Sequence, residues 1–218
     1  MFYQFYLLLQ QPRIRARALK HWALWILTTA LGWALAGFAG LPIGRVVFAE
    51  TGLRGMLSVL TPLSLFGLLI GAMIGTSQWM YLRWRIRRAI WWLPATAVGW
   101  GLGLPLASLV TILTGLDVLS AVMYGVIIGA SVGLAQWILL NRWVFTAGRW
   151  LVISIVALPL GITLTGFVDQ QLQTEARAAW EQMRWGTAFA GGIAGLVVGL
   201  LTGVTLLVLL SRRRDELH

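Results

Sequence analysis

The feature that most constrains this chain is a row of glycines four residues apart, which occurs three times. Gly67, Gly71 and Gly75 form the first row; Gly125, Gly129 and Gly133 the second; Gly191, Gly195, Gly199 and Gly203 the third. Residues four apart share one face of a helix, and a glycine face lets two helix backbones come into direct contact. Each row lies in an apolar run long enough to cross a bilayer. The glycines are therefore expected to be helix-packing surfaces within a membrane, where dispersion contacts rather than the hydrophobic effect hold helices together.

Composition supports that setting. Hydrophobic residues make up 59% of the 218 and charged residues 11%, against roughly 25% charged in soluble domains. Six runs have the length of a bilayer span, about 20 residues: Trp22–Gly44, Leu57–Leu82, Ala89–Leu113, Leu119–Leu140, Trp150–Val168 and Gly186–Leu210. The first is longer than the apolar stretch of a signal peptide and leads to no soluble domain, so it reads as a span. There is no cysteine, which excludes disulfides, thiolate metal sites and a cysteine nucleophile.

The net charge of +10 is distributed as a topology signal rather than as a nucleic-acid surface. Arg13, Arg15, Arg17 and Lys20 precede span one, and Arg83, Arg85, Arg87 and Arg88 follow span two. Arg142 and Arg149 lie between spans four and five, and Arg212, Arg213 and Arg214 follow span six. Thus 13 of the 17 basic residues fall on one side. The positive-inside rule assigns that side, with both termini, to the cytoplasm, facing anionic headgroups. Arg45, Arg54, Arg177 and Arg184 fall on the other side with Glu50, Asp117, Asp169, Glu175 and Glu181.

The glycine rows belong to a larger repeat. Residues 71–103 align without a gap on residues 129–161, with 12 of 33 positions identical. The identities include Gln78-Trp79 with Gln136-Trp137, Leu82 with Leu140, and Trp92 with Trp150. Trp25 and Gly32-Trp33 match Trp92 and Gly99-Trp100. The small residues Gly32, Ala36 and Gly40 correspond to Gly99, Gly103 and Ala107, and more weakly to Ala157, Gly161 and Thr165. The sixth span keeps the glycines but has Leu206-Leu207 where the others have Gln-Trp. The expected fold is an all-α membrane protein of six transmembrane helices. Three tandem hairpins (22–82, 89–140 and 150–210) share one orientation, which suits pseudo-threefold symmetry about the membrane normal.

Outside the hairpins, residues 1–21 read as a basic interfacial segment and 211–218 as a cytoplasmic tail. Phe2, Tyr3, Phe5, Tyr6 and Leu7–Leu9, ended by Pro12, are too short to span and suit the headgroup level. Thr114-Gly115-Leu116-Asp117 reads as a tight turn, and the connection around Glu50–Met56 is longer. In the longest outer connection, Leu172, Ala176, Ala179, Trp180 and Met183 share a helical face, which predicts a short amphipathic helix.

Residues capable of chemistry are few. Gln78 and Gln136, near the basic ends of their helices, suit hydrogen bonds to a neighbouring helix; headgroup binding or ligation of a pigment magnesium is the alternative. Trp22, Trp25, Trp79, Trp84, Trp91, Trp92, Trp137, Trp143, Trp150 and Trp185 fall at span ends, as expected of an aromatic belt. Trp33 and Trp100 lie deeper, where they either fill space beside small residues or line a solute path. No Asp, Glu, Lys, Arg or His falls well inside a span, unlike most ion-coupled transporters. The two histidines are His21, at the edge of span one, and His218, the last residue, and no His/Glu cluster suits a metal. Neither a metal site nor a catalytic constellation is expected, and no cofactor is implied.

The pattern Gly71-x3-Gly75-x2-Gln78-Trp79-x2-Leu82-Arg83, followed by Trp92 and Gly99-Trp100, resembles multi-pass, glycine- and tryptophan-rich membrane proteins of cyanobacteria and Chloroflexota. The resemblance implies a bacterial cytoplasmic or thylakoid membrane and supplies no functional residues. The first expectation for function is a non-catalytic accessory or scaffold subunit, with protein partners in a respiratory or photosynthetic complex. The second is a channel or carrier for a neutral or lipid-like solute, lined by Trp33, Trp100, Gln78 and Gln136. Pigment or quinone binding is the third.

Overall fold

The computed structural model describes residues 12–49, 54–86, 88–115, 120–142, 146–175 and 180–215. They form six long α-helices: α1 Pro12–Val47, α2 Leu57–Leu82, α3 Trp92–Thr114, α4 Ser120–Leu140, α5 Gly148–Glu175 and α6 Trp180–Asp215. A 3-10 turn, Ala89–Trp91, leads into α3. All six are long and apolar enough to cross a membrane. A helix is the form such segments must take, because lipid offers nothing to an unpaired backbone N–H or C=O.

Each helix packs against its chain neighbours, and α6 packs against α1, so the six close into a ring. The start of α1, the end of α6, the end of α2 with the start of α3, and the end of α4 with the start of α5 lie at one end, here the terminal end; the other helix ends lie at the far end. Leu27, Leu31, Leu102, Val152, Leu160 and Phe189 point outward and are exposed, as expected of a ring whose outer face is solvated by acyl chains.

The glycine rows seal alternate seams of this ring. A Cβ added to Gly71 of α2 would lie 2.8 Å from the Ala97 Cα of α3, and one on Gly67 would lie 2.5 Å from the Trp100 carbonyl oxygen. On α4, a Cβ at Gly129 would lie 2.6 Å from the Ser154 carbonyl oxygen of α5, and one at Gly125 would collide with Pro159. On α6, Gly195 stands in the same relation to Ala30 of α1, at 2.7 Å, and Gly191 to the Trp33 carbonyl oxygen, at 2.5 Å. These distances leave no room for any side chain. The tightest seams are therefore α2–α3, α4–α5 and α6–α1, which run between successive hairpins and across the chain's two ends.

The interior has two layers. The terminal half is filled by Trp25, Tyr81, Leu82, Trp92, Leu140, Trp150, Leu206 and Leu209. The far half is lined by smaller or branched side chains, among them Ala36, Ile70, Ile74, Ala107, Val132, Ala157 and Val198, with Trp33 and Trp100 between the layers.

Several expectations from the sequence need correction. The first helix begins at Pro12, ahead of the expected span, so the basic stretch of residues 13–20 is already helical. The amphipathic helix expected over 172–183 is instead the extended ends of α5 and α6, with residues 176–179 outside the described residues. Gly115 ends α3 in the left-handed conformation, φ +63°, and its N–H bonds the Thr111 carbonyl at 3.0 Å, as a C-terminal glycine should. The N-terminal aromatic segment, Trp143 and most of the residue 50–56 connection lie outside the described residues.

Candidate functional site

The centre of the ring is best described from the terminal end. Trp25, in the fourth turn of α1, and Trp92 and Trp150, in the first turns of α3 and α5, are each almost wholly buried. Their rings meet edge to face around the bundle axis, with centroids 6.2, 5.9 and 5.4 Å apart and interplanar angles of 81°, 74° and 71°. Such pairs contribute about 0.5–1.5 kcal/mol each beyond their burial. These three tryptophans were expected in the aromatic belt at the surface. They instead plug the core, because the tight seams turn their helix faces inward. Trp84, Trp91 and Trp185, by contrast, are exposed.

A buried indole N–H needs an acceptor. Trp92 donates to Gln78 Oε1 at 2.9 Å, and Trp150 donates to Gln136 Oε1 at 2.8 Å. The glutamine amides then reach the next helix: Gln136 Nε2 donates to Thr96 Oγ1 at 2.9 Å, and Gln78 Nε2 lies 3.5 Å from Thr29 Oγ1. Thr96 Oγ1 in turn donates a hydrogen bond to the Trp92 carbonyl. Each glutamine therefore links three helices with both ends of its amide. Headgroup binding or metal ligation at Gln78 and Gln136 would require breaking these bonds.

The sequence alignment misplaced the third member of this set. Trp25 donates to Thr202 Oγ1 at 3.0 Å, so Thr202-Gly203 stands where the other seams have Gln-Trp. Leu206 lies four residues on, deeply buried like Leu82 and Leu140. The signal was present: Gly195 and Gly199 precede Thr202 at the same spacing as Gly71 and Gly75 precede Gln78. Glutamine is long enough to bridge two helices and threonine is not. Thr202 bonds back to the Val198 carbonyl at 2.6 Å, and Ser154 bonds back to the Trp150 carbonyl at 2.8 Å. A cavity of ≈ 20 Å³ lies here, lined by Gln78, Thr96, Gln136, Ser154 and Thr202.

Trp33 and Trp100 lie one layer further on, edge to face at 5.6 Å and 73°. They line both the small polar cavity and a second, much larger one. This second cavity, a cup of ≈ 610 Å³, occupies the far half of the ring. Ala36, Gly37, Gly40, Leu41, Ile70 and Ile74 form much of its wall, and Gly44, Arg45 and Phe48 its rim at the end of α1. Its size is within the range of pockets that enclose small molecules.

The cup is set off-centre by the α1–α2 seam. A Cβ at Gly40 or Gly44 would meet nothing closer than 3.8 Å, and its nearest neighbour would be the Phe66 ring of α2. The alignment puts Ala107, fully buried, at the position of Gly40 in α3. In the α3–α4 seam, Tyr124 is hydrogen-bonded to Ser108. The aligned positions of the α1–α2 seam hold Phe66 and Leu41, which carry no hydroxyl.

The sequence-derived path thus separates into two parts. Trp33 and Trp100 face the cup, whereas Gln78 and Gln136 are sealed beneath them. Among the described residues, no group of histidine, aspartate and glutamate is arranged to hold a metal ion. No family model, curated protein or solved structure matches this chain.

Proposed function

We propose that this protein binds a lipid-like, apolar molecule in the cup and conducts nothing through its centre. The observation that carries the reading is the ≈ 610 Å³ cavity with a mostly apolar wall, stopped at its base by Trp33 and Trp100. Below that base, the Trp25–Trp92–Trp150 cluster and its hydrogen bonds fill the axis. An apolar cup closed at one end receives or presents a molecule; it does not pass one across.

The distribution of arginines supports placing the terminal end in the cytoplasm and the cup toward the outer face. The matched contacts of the three glycine rows, and of Trp25, Trp92 and Trp150, support three copies of one helical unit around an axis. That unit is then a tightly sealed pair, α2–α3, α4–α5 or α6–α1, with the last pair split between the two ends of the chain.

The test is purification in a mild detergent, followed by native mass spectrometry and lipid extraction. One lipid-like molecule per protein, displaced when the cup is filled by Gly40→Leu, is the expected result. The absence of any bound apolar molecule, together with no uptake of a fluorescent lipid analogue, would overturn the reading. An absorption spectrum of the same sample tests whether the molecule is a pigment.

An accessory role in a larger membrane complex is a second reading. Val46 and Phe48, exposed apolar residues at the end of α1 beside the cup's rim, favour it. A native gel tests this reading; a lone monomer with no co-purifying protein counts against it.

A further inference from the structure

We infer that the molecule held in the cup is a neutral, lipid-like compound with a carbonyl group at its inner end, met there by the indole N–H groups of Trp33 and Trp100. The inference rests on the lipid-binding reading above and deepens it by naming the chemistry of the guest.

The plug shows how this protein treats a buried indole. Trp25, Trp92 and Trp150 each donate to a side-chain oxygen supplied by another helix. Trp33 and Trp100 are buried as well, each 7% exposed. Among the described residues, however, neither of their N–H groups has a hydrogen-bond acceptor; the two rings meet edge to face. They pack in a cluster with Ile70, Ile74, Val132, Leu158 and Val198, and none of these side chains carries an oxygen. The oxygens of Gln78, Gln136 and Thr202 beneath them are already taken by the plug indoles.

The two N–H groups are also not sealed in. The side-chain polar atoms that are both fully enclosed and unpartnered, among the described residues, are the Tyr81 and Thr146 hydroxyls. The indole nitrogens of Trp33 and Trp100 are not of that kind, so each opens onto a space. Two cavities meet at these rings, and the cup, at ≈ 610 Å³ against ≈ 20 Å³, is the one with room for a ligand. The aligned position in the third unit is Leu158, which does not line the cup. The indole is thus present in the two units whose residue faces the cup and absent from the one whose residue does not.

The chemistry of the guest follows from what this base can and cannot satisfy. An N–H left unpaired in a bilayer interior is costly, so a guest that brings an acceptor gains more than one that brings only hydrocarbon. A carboxylate or phosphate would be an uncompensated charge, because no cation belongs to the Trp33–Trp100 cluster. A hydroxyl would bring a proton of its own to a cluster with no side-chain oxygen to take it. A carbonyl oxygen accepts without donating and carries no charge.

The test uses the full chain in nanodiscs and two probes of one shape. They are 2-methyl-1,4-naphthoquinone, which has two carbonyls, and 2-methylnaphthalene, which has none. Each is titrated against a bound fluorescent lipid analogue, and the preference for the quinone is compared with that of Trp33→Phe/Trp100→Phe. That double variant keeps an apolar ring at both positions and removes both N–H groups. Partition of each probe into lipid is common to the two proteins and cancels in the comparison. The preference should fall about tenfold in the variant, the scale of one to two net hydrogen bonds. Isotope-edited infrared spectra should show the carbonyl stretch of the bound quinone at lower frequency than in protein-free nanodiscs, and the variant should lose that shift.

If the stretch of the bound quinone is unshifted on the unaltered protein, the carbonyl assignment falls and the lipid cup stands. If the shift and the preference both survive in the double variant, other groups are the donors and the assignment to Trp33 and Trp100 falls. If neither probe displaces the lipid analogue, the lipid-binding reading falls with it. The infrared measurement uses the unaltered protein, so a poorly folding variant cannot mask its outcome.

Discussion

The two halves of the ring are built from the same helices but solve opposite problems. The terminal half is filled with three interlocked indoles whose N–H groups are all satisfied, and its seams close on glycine. In the far half, a Cβ at Gly40 or Gly44 on α1 would meet nothing closer than the Phe66 ring, at 3.8 Å. In a membrane interior, polar groups must be paired at close range, whereas apolar walls can stand open to an apolar guest. The difference implies that the terminal half carries the stability of the fold and the far half is free to specialise.

The sharpest way to break that comparison is to remove one indole from the plug. Trp92→Ala should cost about 3–5 kcal/mol, the range for deleting a buried aromatic, and should also leave the Gln78 amide without its donor. Trp91, its neighbour in sequence, is exposed, and Trp91→Ala should change stability by about 0.5 kcal/mol or less. Thermal unfolding in detergent, followed by size-exclusion chromatography, reads both. Equal losses would mean that the plug is not what holds the ring.

The next effect uses one substitution in two places. Gly129→Leu places a branched side chain against the Ser154 backbone of α5 and should cost at least the ~1–3 kcal/mol typical of overpacking, with aggregation as the visible result. Gly40→Leu projects into the cup and should leave the unfolding temperature almost unchanged. If Gly40→Leu were as damaging as Gly129→Leu, the far half would be a packed core rather than a cup.

The hydrogen-bond belt gives a smaller, graded effect. Gln136→Leu removes the acceptor of Trp150 and the donor to Thr96, leaving a buried indole N–H unpaired. A cost of about 1–3 kcal/mol is expected. Thr202→Val removes the acceptor of Trp25 and the bond back to the Val198 carbonyl, but no bridge to a third helix, and should cost about 1 kcal/mol, the low end of that range. Chemical denaturation with tryptophan fluorescence, scored as the difference between the two variants, measures whether the bridging amide contributes more than a single acceptor.

Much of this was legible in the chain. Six spans could be counted because apolar length is a strong signal, and the glycine spacing identified the packing faces because only glycine tolerates backbone contact. Partner choice was not legible. Nothing in Gly71 itself says whether it packs within its own hairpin or against α3, since both neighbours offer small residues. The tryptophans misled for a related reason. Trp91 and Trp92 are adjacent at a span end, and which of them faces the axis depends on a rotation that the even, all-round hydrophobicity of a membrane helix does not encode. The cup was hidden because it lies where aligned residues differ, Gly40 against Ala107 and Phe66 against Tyr124, and a sequence alignment draws attention to what is shared.

The position where the units differ most in the terminal half gives the smallest and most discriminating prediction. Thr202 holds the place of Gln78 and Gln136, and its hydroxyl cannot reach Ser154 across the α5–α6 seam. Thr202→Gln supplies the missing length. Its Oε1 can take the Trp25 proton as Gln136 takes that of Trp150, and its Nε2 can reach Ser154 as Gln136 reaches Thr96. The added atoms have the ≈ 20 Å³ cavity beside Thr202 and Ser154 to occupy. One interhelical hydrogen bond in a membrane is worth about 0.6 kcal/mol on average, so a stabilisation of that order is expected. A second substitution, Ser154→Ala, should cancel it. If Thr202→Gln destabilises the protein and Ser154→Ala has no bearing on it, then the third seam has repacked around threonine, and the equivalence of the three units ends at the glycines.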